Sequence, residues 1–386
     1  MRTRPLATFA ILLGFAPTFA PVQAHAQDET ITTDEGLSLN ISAVVDGLQH
    51  PWGVDTLPNG ELLVTEREGT MRVIFDGAAS NPVGGLPQIA VGGQGGLLDV
   101  AVDPDFGITR RIFFSFSEAG DGGFGTAVAT GLLADWETGA PRLTEVETIF
   151  TMNRKSRGGR HFGSRIAFAP DGTLFITTGD RGDAPRSQDF SDHAGAVIRI
   201  NKDGTVPGDN PFIGQSGVAP ELYSKGHRNI QGADIDPQTG LLWTVEHGAR
   251  GGDEINQPQP GLNYGWPVIS YGRHYSGLRI GEGTEKPGLE QPKHYWDPSI
   301  APSGLAVYDG DMFPEWRGDL LVGALRDQLM TRLERDASGN VVAEEQMFQG
   351  EFGRIRDIEV ADDGSLFIAI DNNPGQILHV TRANPT

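Results

Sequence analysis

The sequence predicts an all-β fold, a six-bladed β-propeller of four-stranded antiparallel blades. Three observations predict it. Glycine and proline are abundant, 53 and 25 of 386 residues, and there are no long helical Ala/Leu/Glu/Lys tracts. A short unit recurs along the chain: a Pro/Asp/Asn–Gly turn, an apolar strand, then an acidic residue. Strand-like runs alternate with turn signals without a composition break, so residues 27–386 read as one domain.

The copies of the unit are "LPNGELLVTERE" (57–68), "DPDFGITRRIFFSFSE" (103–118), "APDGTLFITTGD" (169–180), "DPQTGLLWTVEH" (236–247), "PEWRGDLLVGALRD" (314–327) and "ADDGSLFIAID" (361–371). Asn-Gly, Asp-Gly or Thr-Gly supplies the positive-φ position of a hairpin turn. The strand that follows is apolar on both faces, as "LFITT" and "LFIAI" show, so it belongs between packed sheets. A four-stranded blade needs about 40–50 residues, and the wider spacings imply inserted loops. A β-sandwich is the competing all-β reading. The last run, "GQILHVT" (375–381), is expected to share a blade with N-terminal residues and close the ring.

Ahead of the domain, residues 1–26 read as a secretory signal peptide. Two arginines precede a short apolar run, and "AHA" supplies a cleavage site after Ala26. The run is shorter than the about 20 residues that span a bilayer, so no membrane insertion is expected. The destination is the periplasm or the exterior. There is no cysteine, so disulfides and thiolate metal sites are excluded. The net charge is −21, and losing Arg2 and Arg4 makes the mature chain two units more negative. Such a surface repels nucleic acid, and it makes any cluster of arginines conspicuous.

Five stretches carry chemistry-bearing residues. In "GGRHFGSR" (158–165), His161 sits among glycines and cations, neighbours that an apolar core would not choose. In "GGQGGLLDV" (92–100), Gln94 is enclosed by glycines, which let backbone approach a flat ligand. The spacing is not a dinucleotide fingerprint, since no helix follows. "SKGHRNIQG" (224–232) offers Arg228 and Asn229 just before a buried strand. "GRIRDIEV" (353–360) places Arg354 and Arg356 two apart, on one face of an extended strand. Two such guanidiniums either clamp an anion or pair with Asp357 or Glu359. Arg326 adds a cation at another strand end. "EHGARGGDEINQPQPGLNYGW" (246–266) offers Asp253 and Glu254 within glycine-rich backbone, a weak Ca²⁺ signal without EF-hand spacing. Together these suit a planar polyanionic cofactor with a base beside it.

Those motifs, with "LQHPWGVDTLPNGELLVTER", "DPSIAPSGLAVYDG" and "GLNYGWP", resemble the soluble pyrroloquinoline quinone (PQQ) dependent sugar dehydrogenases over residues 38–382. The shorter aldose type fits better than the glucose type. The resemblance implies PQQ and Ca²⁺ as cofactors, an aldose sugar as substrate and an external electron acceptor. His161 would be the general base. Gln94, Arg228 and Asn229 would contact quinone and substrate, and Arg326, Arg354 and Arg356 would bind the PQQ carboxylates. Ser299 and Tyr275 are weaker matches to PQQ-contacting positions. The carbonyls of Gly248 and Ala249 would hold the Ca²⁺ at PQQ, with Glu254 and the Tyr264 carbonyl on a second, structural Ca²⁺. A monomer or a homodimer is expected. The chain departs from the glucose-type pattern at one position. The residue before the base is Arg160 rather than Asp, so another acceptor must hold the imidazole. A calcium-dependent lactonase and a non-catalytic binding propeller are the alternatives.

Overall fold

The computed structural model describes residues 29–383, so the expected leader and its cleavage site lie outside the described residues. Blade 1 is built from Pro51–Thr56, Leu62–Glu66, Thr70–Phe75 and Ala78–Ala79, and blade 2 from Leu97–Val102, Arg111–Gly120, Gly123–Ala134 and Arg142–Thr151. Blade 3 is Gly163–Phe168, Thr173–Thr178, Ala196–Asn201 and Leu222–Lys225, and blade 4 is Ile230–Ile235, Leu242–Glu246, Asp253–Asn256 and His294–Trp296. Blade 5 is Pro302–Val307, Leu320–Ala324, Leu329–Arg335 and Val341–Met347. Blade 6 joins Ile355–Val360, Leu366–Ile370 and Gly375–Arg382 to the N-terminal strand Ser38–Leu48. All pairings are antiparallel, and the C-terminal strand closes the ring against N-terminal residues, as expected. Blade 6 departs from the four-strand pattern: Glu29–Thr32 adds a fifth strand at its edge.

Every copy of the sequence unit spans the turn between the first and second strand of a blade. The first strands line the channel, and the second are buried on both faces, as Thr173–Thr178 shows. Each blade-to-blade interface has its own apolar core. Leu63 and Val73 of blade 1 meet Val100 and Phe114 of blade 2. Trp243 and Val245 of blade 4 meet Leu305 and Val322 of blade 5. Burial of this kind supplies roughly 25 cal/mol per Å² of apolar surface.

Polar side chains staple the inner strands into a ring. Carboxylates of one blade accept a backbone N–H of the next: Asp55 from Val102 (2.6 Å), Asp99 from Ile166 (2.8 Å), Asp234 from Val307 (2.8 Å) and Asp357 from Val54 (3.1 Å). Arg165 Nε to the Gln231 carbonyl and Ser303 Oγ to the Ile355 carbonyl serve the remaining two junctions. All six inner strands shift register near their N-terminal ends. A bulge bends the strand and re-aims side chains, so this end of the channel can present polar groups that strict alternation would bury.

Arg165 blocks the channel midway. Its guanidinium pairs with Asp99 (2.8 Å) and Asp357 (2.7 Å) from two other blades, and lies over the Trp52 ring at 4.4 Å. A cavity of about 320 Å³ lies on the C-terminal side of this block, lined by Asp55, Asp234 and Glu359. Burial above all raises these carboxylates, Asp55 to about 7 with repulsion from Asp99 adding to it and Asp234 to about 6 with repulsion from Asp236 and Asp357. A cavity of about 170 Å³ lies on the other side, and its charged lining is cationic.

Candidate functional site

The cationic cavity forms where the N-terminal ends of the inner strands meet their incoming loops. Arg67, Arg326, Arg354 and Arg356 supply its charge; Trp52, Leu98 and Phe162 supply apolar walls. Gln94, Asn229, Gln231 and His247 complete the polar lining. Burial, then the charge of Arg228, lowers His247 to about 3, so it is a neutral group whose Nε2–H faces the Pro302 carbonyl.

His161 stands beside this cavity, between Arg160 and the cavity-lining Phe162. Its backbone is left-handed, φ 55°, a strained conformation for a residue with a Cβ. Its N–H donates to Gln94 Oε1 at 2.6 Å, and Gln94 N–H donates to the Gly159 carbonyl at 2.8 Å. The two glycine-rich loops are thus laced together. A Cβ on Gly93 would collide with the Gly159 carbonyl, and one on Gly179 with the His161 carbonyl. Gly93 thus serves loop-to-loop contact, whereas a Cβ on Gly92 would meet open space.

The acceptor that Arg160 cannot provide is Asp180. Its Oδ1 lies 2.6 Å from His161 Nδ1 and accepts Gly182 N–H, and its Oδ2 accepts Trp266 Nε1–H at 2.9 Å. Nδ1 therefore carries the proton, and Nε2 is the free basic atom. Burial raises the Asp180 carboxyl, but the hydrogen bond and charge of His161 outweigh it and hold the group below its ordinary value. Burial lowers the His161 pKa; Asp180 opposes this, and the charges of Arg228 and Arg160 add to it. The result is a neutral imidazole at neutral pH.

Arg228 is 7 % exposed, lies over Trp266 at 5.3 Å and donates Nη1–H to the His247 carbonyl. Asn229 Oδ1 accepts the Gly163 N–H at 3.2 Å. The expected arginine pair also needs correcting. Arg354 precedes its strand, and a bulge separates Ile355 from Asp357, yet Arg354 and Arg356 both reach the cavity. Neither pairs with Asp357 or Glu359. Arg356 binds Asp371 at 2.7 Å, and Arg354 and Arg67 approach the same carboxylate at 4.0 Å. Asp357 is taken by Arg165.

The glycine-rich loop after blade 4's second strand is organised by Asp253, which the sequence offered beside Glu254 as a weak Ca²⁺ signal. Both its oxygens are in use: Gly248 N–H on Oδ1, and Ser299 Oγ–H, Ile300 N–H and Ala301 N–H on Oδ2. It fixes the stretch containing Gly248 and Ala249 instead. Ser299 spends its hydroxyl on Asp253 and its carbonyl on Arg326, so it does not reach into the cavity. Tyr275 is 76 % exposed and lines neither channel cavity. Glu254 is half-buried; desolvation, then the neighbouring Glu246, raises it to about 8. Asn256 donates to both carboxylates, and its own Oδ1 is buried without a partner. Tyr264 spends its hydroxyl on backbone and stacks on His227. Among the described residues no three His, Asp or Glu side chains converge in a metal-holding arrangement.

Residues 48–379 match the glucose/sorbosone dehydrogenase family over most of the chain. The chain belongs to that family. It is 42 % identical to the aldose sugar dehydrogenase YliI of Escherichia coli over 353 residues, covering 90 % of this chain and 94 % of that one. A crystal structure of a glucose dehydrogenase superposes with a TM-score of 0.86 at 44 % identity, covering 89 % of this chain and 99 % of that one. The PQQ-bound aldose sugar dehydrogenase of Streptomyces coelicolor superposes with a TM-score of 0.75 at 28 % identity, over 89 % of this chain and 98 % of that one. Membership of the glucose/sorbosone dehydrogenase family makes the protein an oxidoreductase of this kind and sets aside the lactonase and binding-propeller readings.

Proposed function

We propose that the protein oxidises aldose sugars at C1 to lactones, with PQQ as hydride acceptor, Ca²⁺ beside it and His161 as general base. The observation that carries this reading is the His161–Asp180 pair set against a cavity walled by four arginines. The residues fit the cofactor. PQQ is flat and bears three carboxylates. The cavity offers Arg326, Arg354 and Arg356 for them, and Trp52 and Phe162 as flat walls. Bound there, PQQ with Ca²⁺ as Lewis acid supplies the electrophilic carbon that accepts hydride. The Gly248 and Ala249 carbonyls would face that Ca²⁺. For the second Ca²⁺, Glu254 and the Tyr264 carbonyl would be ligands, and the orphaned Asn256 Oδ1 beside the carboxylates of Glu246 and Glu254 supports a cation there.

The chain's own residues then divide the work. His161 Nε2 takes the proton of the C1 hydroxyl as C1 gives up its hydride and the C1–O bond becomes a carbonyl. Asp180 fixes the tautomer and stabilises the imidazolium that forms. Gln94 holds the base's backbone, and Asn229 holds the loop beside it. Arg228, close to His161, stabilises negative charge developing at the reacting centre. An external acceptor takes the electrons afterwards. The leader over residues 1–26 supports export to the periplasm, and no helix among the described residues is long and apolar enough to cross a membrane.

The test is reconstitution. Purified protein given PQQ and Ca²⁺ is expected to show bound-quinone absorbance and aldose-dependent dye reduction; neither would appear if the reading is wrong. His161→Ala is expected to bind PQQ and lose turnover by roughly 100-fold or more. Full turnover in that variant would remove the base assignment.

A further inference from the structure

Beside His161, on the side away from the cofactor cavity, a cleft of about 720 Å³ opens to solvent. Its charged lining is Lys155, Arg157, Arg160, Arg181 and Asp183. Lys155 is neutralised by Glu118. Arg157 and Arg160 are exposed, and their guanidiniums have no hydrogen-bond or carboxylate partner among the described residues. Arg181 is 2 % exposed and stacks on Phe162 with its guanidinium carbon 3.4 Å from the ring centroid. It donates to the carbonyls of Gly158 and Arg160, and its buried Nε–H has no acceptor. Burial, then repulsion from Arg186, pushes it down to about 9, so it is still charged at neutral pH. Buttressing the 158–160 loop accounts for Arg181. It does not account for Arg157 and Arg160, whose guanidiniums bond to nothing among the described residues.

A chain of net charge −21 thus gathers three guanidiniums in one cleft against a single carboxylate, Asp183. The cleft's position gives this a use. Gly158 to Arg160 line the cleft, Phe162 and Gly163 line the cofactor cavity, and His161 stands at the boundary. A sugar that offers its reacting hydroxyl to His161, with C1 turned to the cofactor, runs its far end towards the cleft. We propose that the cleft is an anion subsite for the substrate, taking a carboxylate or phosphate borne by the aldose at the end remote from C1. Acidic aldoses are then the preferred substrates. The guanidinium fork matches both groups. An acidic protein also needs such a local field to draw in an acidic sugar against its overall charge. The inference rests on His161 being the base.

The experiment compares glucose, glucuronate and glucose 6-phosphate as substrates of the PQQ- and Ca²⁺-loaded enzyme. It uses the wild type, Arg157→Gln, Arg160→Gln and the double variant, well above the pH at which His161 protonates. Calorimetry measures glucuronate and glucose 6-phosphate binding to the unloaded protein at low and high salt. The expected result is a kcat/KM preference of about tenfold or more for an acidic sugar, falling towards unity in the double variant. Binding to the unloaded protein should weaken with salt and with substitution. A response to glucuronate alone or to the phosphate alone supports the subsite and identifies its anion. Oxidation of glucose as good as that of either acidic sugar, with ratios unmoved by substitution, overturns the subsite and leaves the base reading standing. Arginine-dependent anion binding without oxidation of any aldose keeps the subsite and overturns the base reading.

Discussion

His161 Nδ1 lies 2.6 Å from Asp180 Oδ1, and the two residues stand at the N-terminal start and the C-terminal end of one hairpin. One blade on, His227 Nδ1 and Glu246 Oε1 repeat the arrangement at 2.8 Å. The difference lies at the other nitrogen. His227 is fully buried and its Nε2 is bound to Ser224 Oγ at 2.9 Å, whereas His161 is partly open with Nε2 unengaged among the described residues. The same pairing closes off the imidazole in blade 4 and leaves it open in blade 3, where the proposed function uses it as the base. Asp180→Asn can donate to Nδ1 and so favours the wrong tautomer. Its kcat is expected to fall by roughly 10²–10⁴-fold, with the loss read in kcat rather than in quinone binding.

The pH dependence follows from the same residues. His161 has a pKa lowered from 6.5, and its base form is the neutral one, so the ascending limb of kcat/KM is expected below pH 6.5. Arg160→Gln removes a cation that opposes protonation, so it shifts the limb to higher pH. A pH–rate profile of the two proteins checks the sign.

Asp371 carries three guanidiniums and, through Oδ1, His50 Nδ1 at 2.7 Å. Asp371→Asn strips the carboxylate from the buried Arg356, and a loss of about 3–5 kcal/mol is expected in denaturant unfolding. Burial raises Asp371, but Arg356 and the other donors lower it from 3.8 to about 2. Its contribution is therefore present above the unfolded value and fades as the pH falls towards 2. The stability gap between wild type and variant should close over that interval.

The Ca²⁺ proposed at Glu254 would stabilise the folded state by mass action. Adding Ca²⁺ to chelator-treated protein is expected to raise Tm, and Glu254→Gln to abolish that rise. Differential scanning calorimetry with Mg²⁺ as the control measures it.

The propeller was legible because one turn-and-strand unit recurs at the same place in every blade. The acidic residue ending the unit was legible too, but its use was not. Glu66, Asp180, Glu246 and Asp371 each accept a donor at the start of an inner strand, from Gln49 N–H, His161, His227 and Arg356. Counting forward from His161 does not find Asp180, because the pairing depends on a hairpin closing across a bulge. Trp52, Arg67 and Trp266 were missed although they lie inside stretches quoted for the resemblance, because no spacing or charge pattern marks them: the first two come from blade 1 and the third from the long loop between Asp253–Asn256 and His294–Trp296. Gln94 and Asn229 were picked out for contact with a ligand, and the fold spends part of each on backbone.

The block made by Arg165 with Asp99 and Asp357 turns the channel into a cul-de-sac. Sugar and any acceptor that must touch the cofactor share one mouth and take turns there. Steady-state kinetics should then be ping-pong, with parallel double-reciprocal lines for dye against sugar. At high sugar concentration the second visitor is shut out, and the rate should fall as acceptor is diluted.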